Sequence, residues 1–551
     1  MTDSIPASNK PSTTSKFLRL LRPGHEHSAF SATLLLMSAV LLSRVLGFVR
    51  EQYIAWAFGA GPTTDAYVAG FTIPEFLNYL IAGGAASITF ISIYTRFLAE
   101  NKEDEAQKTF SAIITIMTSV LLVGVVLTEI FASPICRWLF KGFSPEKMDL
   151  CIHLTRIVLP SQIFFYAGGV VSAVLVSRKL FLFPAFGPVF YNVFIILGGL
   201  LFSHRLGIAS LAYGVLAGSF IGPFLINAVG AKRIGIGYKF SFDIGNPAFR
   251  EWVRLSIPLM LGFSLVTVDD WILRHYAAVN AGAISRLNYA KRLFQVPIAL
   301  LGQAAGQASL PFFARLFNEK KLQEFSDTVN SSVYRIVATS LLLSSLMMVT
   351  ALPLVDLLYR HGHFKFSDSQ ETAVYLFWFS LSLIFWSAQA LYARAFYAAA
   401  DTLTPMIAST VVVIASLPMY SALHRHYGVS GLAIASDMGI AANTVVTAIL
   451  LHQRKLVPGN ELAWKELGKI LLTTTVATVL GYQVAKLVPI SGSRMADVKS
   501  VLLVTITWAG AGAAGLWITQ SKLLNDLRRR KGTTYPRVAE QQSELNSESK
   551  P

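Results

Sequence analysis

The stretch FSATLLLMSAVLLSRVLGFVREQYIAWAFGAGPTT, residues 30–64, decides how the rest of the chain is read. It opens as an apolar run long enough to enter a bilayer, since a spanning helix needs about 20 such residues. It then sets Arg44, Arg50 and Glu51 where hydrocarbon is expected. A charge at the centre of a spanning helix costs about 2.5–3.5 kcal/mol even on the lenient insertion scales, so such residues normally face a polar cavity or a partner. At about 100° per residue, Arg44 and Glu51 fall nearly on one face, two turns apart, with Arg50 about 120° round from Arg44. Gly47 lies between them and leaves room for a ligand or a neighbouring helix. The structural alternative is an arginine near the helix end that snorkels to the headgroups. Arg50, nearer the FGAGP turn, fits that alternative better than Arg44 does.

Outward from this stretch the composition is uniform. The 551 residues are 53% hydrophobic and 14% charged, with a mean hydropathy of +0.52. Soluble domains carry about 25% charged residues, so the deficit describes an all-α polytopic membrane protein. Residues 1–27 are rich in Ser, Thr, Pro and Lys, lack the apolar core of a signal peptide, and read as a disordered cytoplasmic tail. Residues 521–551 read as a second disordered tail, basic in character. A net charge of +16 would suggest nucleic acid in a soluble protein. Here the basic residues gather in loops on one side, as cytoplasmic loops do, and no nucleic-acid partner is implied.

Fourteen apolar spans are expected, at about 30–57, 64–96, 109–133, 150–177, 184–203, 207–231, 251–279, 284–316, 328–354, 369–399, 403–423, 428–452, 467–489 and 499–520. The second, eighth and tenth are long and interrupted by polar residues. The strongest cytoplasmic segments are Lys232-Arg233, Arg454-Lys455 and Arg528-Arg529-Arg530-Lys531, whereas FGAGPTT and AAVNAGA carry no Lys or Arg. This asymmetry predicts both termini in the cytoplasm. Cys136 and Cys151 flank one short loop; a disulfide and two separate thiols both fit, the thiols better, and no metal-ligand spacing occurs.

The chain also repeats itself. Ala60-Gly61 recurs as Ala281-Gly282, Pro184 as Pro405, Gly207 as Gly428 and Leu211-Ala212 as Leu432-Ala433, each 221 residues later. RFLAENKEDE from Arg96 resembles RLFNEKKLQE from Arg315, at an offset of 219. Six helices per repeat send both halves into the membrane the same way round, a parallel repeat about an axis along the membrane normal. The expected organisation is an N-lobe at 28–235, a C-lobe at 249–455 and two added helices at 462–520, with a cavity between the lobes.

The ionisable residues inside the spans are the informative set: Arg44, Arg50, Glu51 and Asp65, then Asp269, Asp270, Arg274, Lys291, Arg292 and Arg394. Cations outnumber carboxylates, so a cavity lined by them attracts an anion. Guanidinium forks match phosphate oxygens in pairs, which favours a diphosphate over a carboxylate. Asp269 and Asp270 form a candidate cation site. Asp401, ahead of Thr404-Pro405, reads as a cap for the next helix. No GxSxG elbow, P-loop, HExxH or Ser-His-Asp context stands out, and no cofactor is implied; the histidines read mostly as solvated loop residues.

At this point the motifs are similar to those of a known family. SRVLGFVRE (43–51), FGAGPTTDAY (58–67), NYAKRLFQVP (288–297), LYRHGHF (358–364) and ARAFYAAADTLTP (393–405) resemble the lipid II flippases of the MurJ/MviN family, within the multidrug/oligosaccharidyl-lipid/polysaccharide exporter superfamily. The resemblance runs from about residue 30 to 520. It implies fourteen helices in two lobes, a cationic inner cavity, a groove for a lipid tail, and export of an undecaprenyl-diphosphate-linked peptidoglycan precursor (lipid II) for cell wall synthesis. By motif it places the essential residues on Arg44, Arg50, Asp65 and Arg292, with Ser43 beside them. Asn78 and Gly83 stand where many members have charged residues, Gln295 where some have a glutamate, and Lys291 where an aspartate is sometimes seen.

The resulting expectation is a transporter, not an enzyme. Ser43, Arg44, Arg50, Asp65, Lys291 and Arg292 form the substrate site: the cations and Ser43 hold a diphosphate headgroup, and Asp65 pairs with an arginine when the cavity is empty and releases it when substrate binds. The partners are membrane lipid and lipid II. The membrane potential, worth about 2.3 kcal/mol per charge per 100 mV, or a coupling cation supplies the drive. The competing expectations are a flippase for another polyprenyl-diphosphate oligosaccharide and an ion-coupled multidrug exporter. A membrane-embedded glycosyltransferase is disfavoured by the short loops.

Overall fold

The computed structural model describes residues 29–82, 85–261, 265–458, 462–488 and 494–523. The expected tail at 1–27, most of the tail expected at 521–551, and Gly83 lie outside the described residues. Of the residues expected in that second tail, 521–523 are described. Ser521 and Leu523 are buried, and the Lys522 N–H donates to Glu466 Oε2 at 2.9 Å.

Every described element is helical. In chain order they are α1 (Ala29–Phe58), α2 (Pro62–Gly70), α3 (Thr72–Ala82), α4 (Ala85–Ala99), α5 (Glu103–Leu139), α6 (Pro145–Val158), α7 (Ser161–Ser177), α8 (Leu182–Leu206) and α9 (Ala209–Ser219). A π-helical segment (Phe220–Ile226) leads into α10 (Asn227–Arg233), then α11 (Pro247–Leu261), α12 (Leu265–Ala277) and α13 (Ala283–Pro297). A second π segment (Ile298–Gln303) leads into α14 (Ala304–Asn318), α15 (Leu322–Tyr359), α16 (Phe366–Leu381), α17 (Leu383–Ala398), α18 (Leu403–Gln453), α19 (Trp464–Leu487) and α20 (Arg494–Ile518).

Among the described residues, eight helical runs are long and apolar enough to cross a membrane, and α16 with α17, bent by 40°, makes a ninth. The all-α, multi-pass character is therefore plain. Part of the shortfall from fourteen falls where the sequence was already interrupted; the spans expected at 30–57 and 251–279 are also outside the count. The expected span 64–96 is three helices, and the span 284–316 is split by the π segment after Pro297. A proline removes one backbone donor and crowds the preceding turn, so the ladder re-registers or breaks there. Conversely α18 is one assigned helix over two expected spans, turning at Gly428.

The internal repeat is visible in the backbone. Gly207 has φ 55, ψ −139 and Gly428 has φ 59, ψ −144, 221 residues apart. Left-handed φ recurs at Lys179 (62) and Ala400 (57), again 221 apart, and at Asn101 (55) and Lys320 (59), at the 219 offset of their segments. Each of these last four follows a helix whose final turn closes in the same way. The N–H of the next residue reaches five positions back: Leu180 to Leu175, Asp401 to Phe396, Lys102 to Phe97 and Lys321 to Leu316. That is the Schellman closure, which needs a left-handed residue just past the helix end.

By packing, the chain forms two compact units. One holds residues up to Tyr289 with Leu358–Ser369 and Val413–Leu432; the other holds Ala290–Leu357, Gln370–Val412 and residues from Ala433 on. These boundaries differ from the repeat boundaries. In the first unit α8 and α9 approach with backbones nearly touching. A Cβ on Gly198 would lie 2.7 Å from Ser210 O, and one on Gly214 would lie 2.8 Å from Ile195 Cα. Small residues let helices associate where lipid is as apolar as leucine. In the second unit the core gathers Phe313, Phe325, Val329, Leu391 and Phe396, with Leu467 and Ile470 of α19 and Leu516 of α20.

Candidate functional site

α1 carries Ser43, Arg44 and Arg50 into the first unit, where Arg50 is the best-held cation. Its Nη1 donates to Asn192 Oδ1 at 3.1 Å and its Nη2 to Glu51 Oε1 at 2.6 Å. The side chain is 17% exposed, and its Nε is buried with no hydrogen-bond partner. A buried donor left unmet costs about 1–3 kcal/mol. Asn192 in turn donates through Nδ2 to Ser43 O and Oγ, at 3.3 and 3.4 Å, and to Pro188 O at 3.0 Å. The helix that Gly47 makes room for is α8, because a Cβ at Gly47 would meet the Asn192 amide at 3.8 Å. Snorkelling does not describe Arg50.

Arg44 is different. It is exposed, although it shares a helical face with Glu51, which is 6% exposed. The cause is a change of surroundings along α1. Val40, Leu41, Leu42 and Val45 are exposed, while Ile54 and Ala55 are buried. Among the described side chains of α1, the expected face is covered towards the C-terminal end.

Asp65 corrects a further expectation. It has no exposed surface, and its cationic partner is Lys147, not an arginine. Oδ2 accepts from Lys147 Nζ at 2.8 Å and from the Gly282 N–H at 2.6 Å. Oδ1 accepts from the Ser285 N–H and Oγ, both at 2.8 Å. Gly282 and Ser285 bracket the start of α13, so a carboxylate from α2 caps that helix and faces its positive end. Lys147 reaches it from the first turn of α6, where Ser144 caps and Pro145 follows. Its ammonium also sits 4.0 Å from the centre of the Phe143 ring.

α12 supplies Asp269, Asp270 and Arg274. Arg274 donates to Glu75 at 2.7 Å and Thr72 at 3.2 Å, both on α3. Asp269 is buried and accepts from the Tyr420 hydroxyl. Asp270 is half-buried. Among the described residues no three His, Cys, Asp or Glu side chains gather as a metal site. Asn78 gives its amide to Gln162 at 2.8 Å, a neutral pair where many relatives are expected to hold a charge.

Lys291 and Arg292 belong to the second unit. Both are half-buried. The Lys291 ammonium lies 5.6 Å from the Phe379 ring centre, and Arg292 Nη1 lies 3.4 Å from Gln295 Oε1. Asp401 caps as expected: it accepts from the Thr404 N–H at 2.9 Å and hydroxyl at 2.7 Å, and it pairs with Arg454. Cys136 and Cys151 are free, buried thiols.

Sequence reasoning missed Lys147, Glu75 and Asn192. Asn192 could have been found, as a lone amide in the apolar run PVFYNVFIILGG. Lys147 sits in the segment GFSPEKMD, between two expected spans, where no sequence signal marks it.

Comparison with known proteins narrows what this arrangement belongs to. Residues 54–500 match the family model described as lipid II flippase MurJ. The probable lipid II flippase MurJ of Buchnera aphidicola is 27% identical over 445 residues, covering 80% of this chain and 87% of that protein. The lipid II flippase MurJ of Burkholderia cenocepacia is 28% identical over 442 residues, covering 77% and 84%. Among solved structures, a lipid II flippase MurJ in an inward closed conformation superposes with a TM-score of 0.73 at 24% identity, covering 88% of this chain and 99% of that one. An inward-facing MATE-family multidrug transporter gives 0.62 at 14%, covering 76% and 98%, a likeness of fold. With its family model matched across most of its length, this chain belongs to the lipid II flippase MurJ family.

Proposed function

We propose that this protein is a transporter that flips lipid II, the undecaprenyl-diphosphate-linked peptidoglycan precursor, from the inner to the outer leaflet of the bacterial cytoplasmic membrane by alternating access. Family membership supports the substrate class. The observation that carries the chemistry is Arg50: a guanidinium on α1, pinned by Asn192 and Glu51, with its Nε–H buried and still unmet. Arg44, Arg50, Arg292 and Lys291 supply positive charge to the diphosphate, and Ser43 adds a hydroxyl. Two phosphate groups take up several charge-assisted hydrogen bonds, each stronger than a neutral one. Asp65, with both oxygens occupied by donors, contributes by fixing the start of α13 and not by touching the headgroup.

In this reading the chain has fourteen spans, six in each half (28–235 and 249–455) and two at 462–520, with both termini in the cytoplasm. The polyprenyl chain stays in lipid while the halves rock about the headgroup. An anion leaving a negative cytoplasm moves down the field, at about 2.3 kcal/mol per charge per 100 mV. Asp269 and Asp270 remain the candidate site for a coupling cation.

The test is precursor export in a bacterial strain depleted of its own flippase. Wild type restores export, and Arg44→Ala or Arg292→Ala does not, at equal membrane levels. Full rescue by both variants removes the diphosphate clamp. A binding comparison of lipid II with another undecaprenyl-diphosphate oligosaccharide separates this substrate from its nearest competitor.

A further inference from the structure

α8 places a single amide, Asn192, within an apolar helical run, and every polar atom of that amide is used. Nδ2 points at three oxygens, Pro188 O, Ser43 O and Ser43 Oγ, between 3.0 and 3.4 Å. Oδ1 takes an N–H of Arg50 at 3.1 Å. The orientation is fixed by chemistry. Turned over, the amide would set its oxygen against two carbonyls and its N–H₂ against a guanidinium that can only donate.

Two consequences follow for the groups it touches. The Ser43 hydroxyl oxygen accepts from Asn192, so its own proton remains free to donate to a further acceptor. Arg50 has five N–H donors. Asn192 and Glu51 engage Nη1 and Nη2, and the Nε–H has no partner. One amide therefore holds a hydroxyl and a guanidinium close together, each with an unused donor.

We infer that Asn192 is a positioning residue for the anion site. It fixes Arg50 and Ser43 so that the Arg50 Nε–H and the Ser43 O–H are preset for oxygens of the substrate's diphosphate. The inference deepens the flippase reading and rests on it. Preorganised donors bind an anion without the entropy loss of ordering two side chains at the moment of binding. Asn192 itself makes no contact with the substrate.

The experiment measures lipid II binding by the purified full-length protein in lipid nanodiscs, with undecaprenyl monophosphate as a second probe. Asn192→Leu is introduced into the wild type and into a Ser43→Ala/Arg50→Ala background. The expected result is weakening of lipid II binding by about tenfold in the wild-type background. In the doubly substituted background, where nothing is left to position, the expected change is about twofold or less. The monophosphate, with fewer oxygens to engage, loses less. Equal weakening in both backgrounds identifies a general structural role and overturns the inference, as does unchanged binding by Asn192→Leu. If the leucine variant does not fold, Asn192→Asp is read the same way: it keeps volume and the Arg50 contact but sets an acceptor against the Ser43 and Pro188 carbonyls. Wild type that binds lipid II while both Asn192 variants match it sinks the inference alone. Wild type that does not bind lipid II sinks the flippase reading and the inference with it.

Discussion

Lys147 Nζ lies 2.8 Å from Asp65 Oδ2, and neither side chain is more than 6% exposed. This ion pair joins the first turn of α2 to the first turn of α6, and the same carboxylate caps α13. Taking two charges out of water is costly, so a pair of this kind holds only when every lone pair is engaged. Asp65 meets that condition with four donors.

Removing one partner of a buried pair strands the other, at a cost of about 3–5 kcal/mol. Lys147→Met is therefore expected to lower the thermal midpoint sharply and to reduce membrane levels. Arg96 and Glu251 make a similar bidentate contact at 2.9 and 2.6 Å, but at 48% and 38% exposure. Exposed pairs are worth about 0–1 kcal/mol, so Arg96→Met should shift the midpoint little. Thermal unfolding in one detergent compares the two, and equal shifts would contradict the burial argument.

Gly214 is expected to tolerate no side chain. A Cβ there would sit 2.8 Å from both Ile195 Cα and Phe194 O, backbone atoms of α8 that cannot swing aside. Overpacking of this kind costs about 1–3 kcal/mol, so Gly214→Val should separate α8 from α9 and lower yield and midpoint. Gly510, on α20, meets nothing within 4 Å. There Gly510→Ala should be neutral or stabilising by up to about 1 kcal/mol, the helix-propensity gain. The pair of midpoints is the readout.

How much of this was legible beforehand depends on whether a residue's meaning is local. The repeat was legible because turns are local: Gly207 and Gly428 need the same left-handed backbone wherever the helices go. The Asp401 cap was legible for the same reason, since its partner Thr404 lies three residues on. The partner of Asp65 was not. Lys147 is 82 residues away and is buried by tertiary packing. Nor was the contrast between Arg44 and Glu51 legible, because helical phase gives a direction and not what lies in that direction. Interruptions in the second and eighth spans were foreseeable from their polar residues, but a π segment after Pro297 depends on how the freed carbonyls find new donors.

Cys136 and Cys151 should behave as two inaccessible thiols. Both are free, and both are fully buried near Thr155, whose hydroxyl lies 3.8 Å from Cys136 Sγ and donates to Cys151 O. Access governs thiol reactivity as strongly as ionisation does. A polyethylene-glycol maleimide should add nothing to the native protein and two labels after unfolding in detergent without reductant. No labels under the second condition would mean a disulfide.

Asp401 gives the clearest expected pH dependence. It sits in the turn between α17 and α18, where partial burial pushes its carboxyl up. The Thr404 N–H and hydroxyl and the Arg454 guanidinium outweigh that and hold it below its ordinary value. A carboxyl depressed in the folded state contributes stability that is complete above its unfolded pKa of about 3.9. That contribution fades as pH falls through the lower folded value. Asp401→Ala removes an N-cap worth about 0.5–2 kcal/mol and also frees Arg454, so it should be less stable than wild type at pH 7. Asp401→Asn keeps a capping oxygen and loses only the charge, so it should fall between the two. The gap between wild type and Asp401→Asn should then close as pH drops below about 4. A gap that stays constant from pH 7 to pH 3 would show that the carboxylate charge does not stabilise this turn.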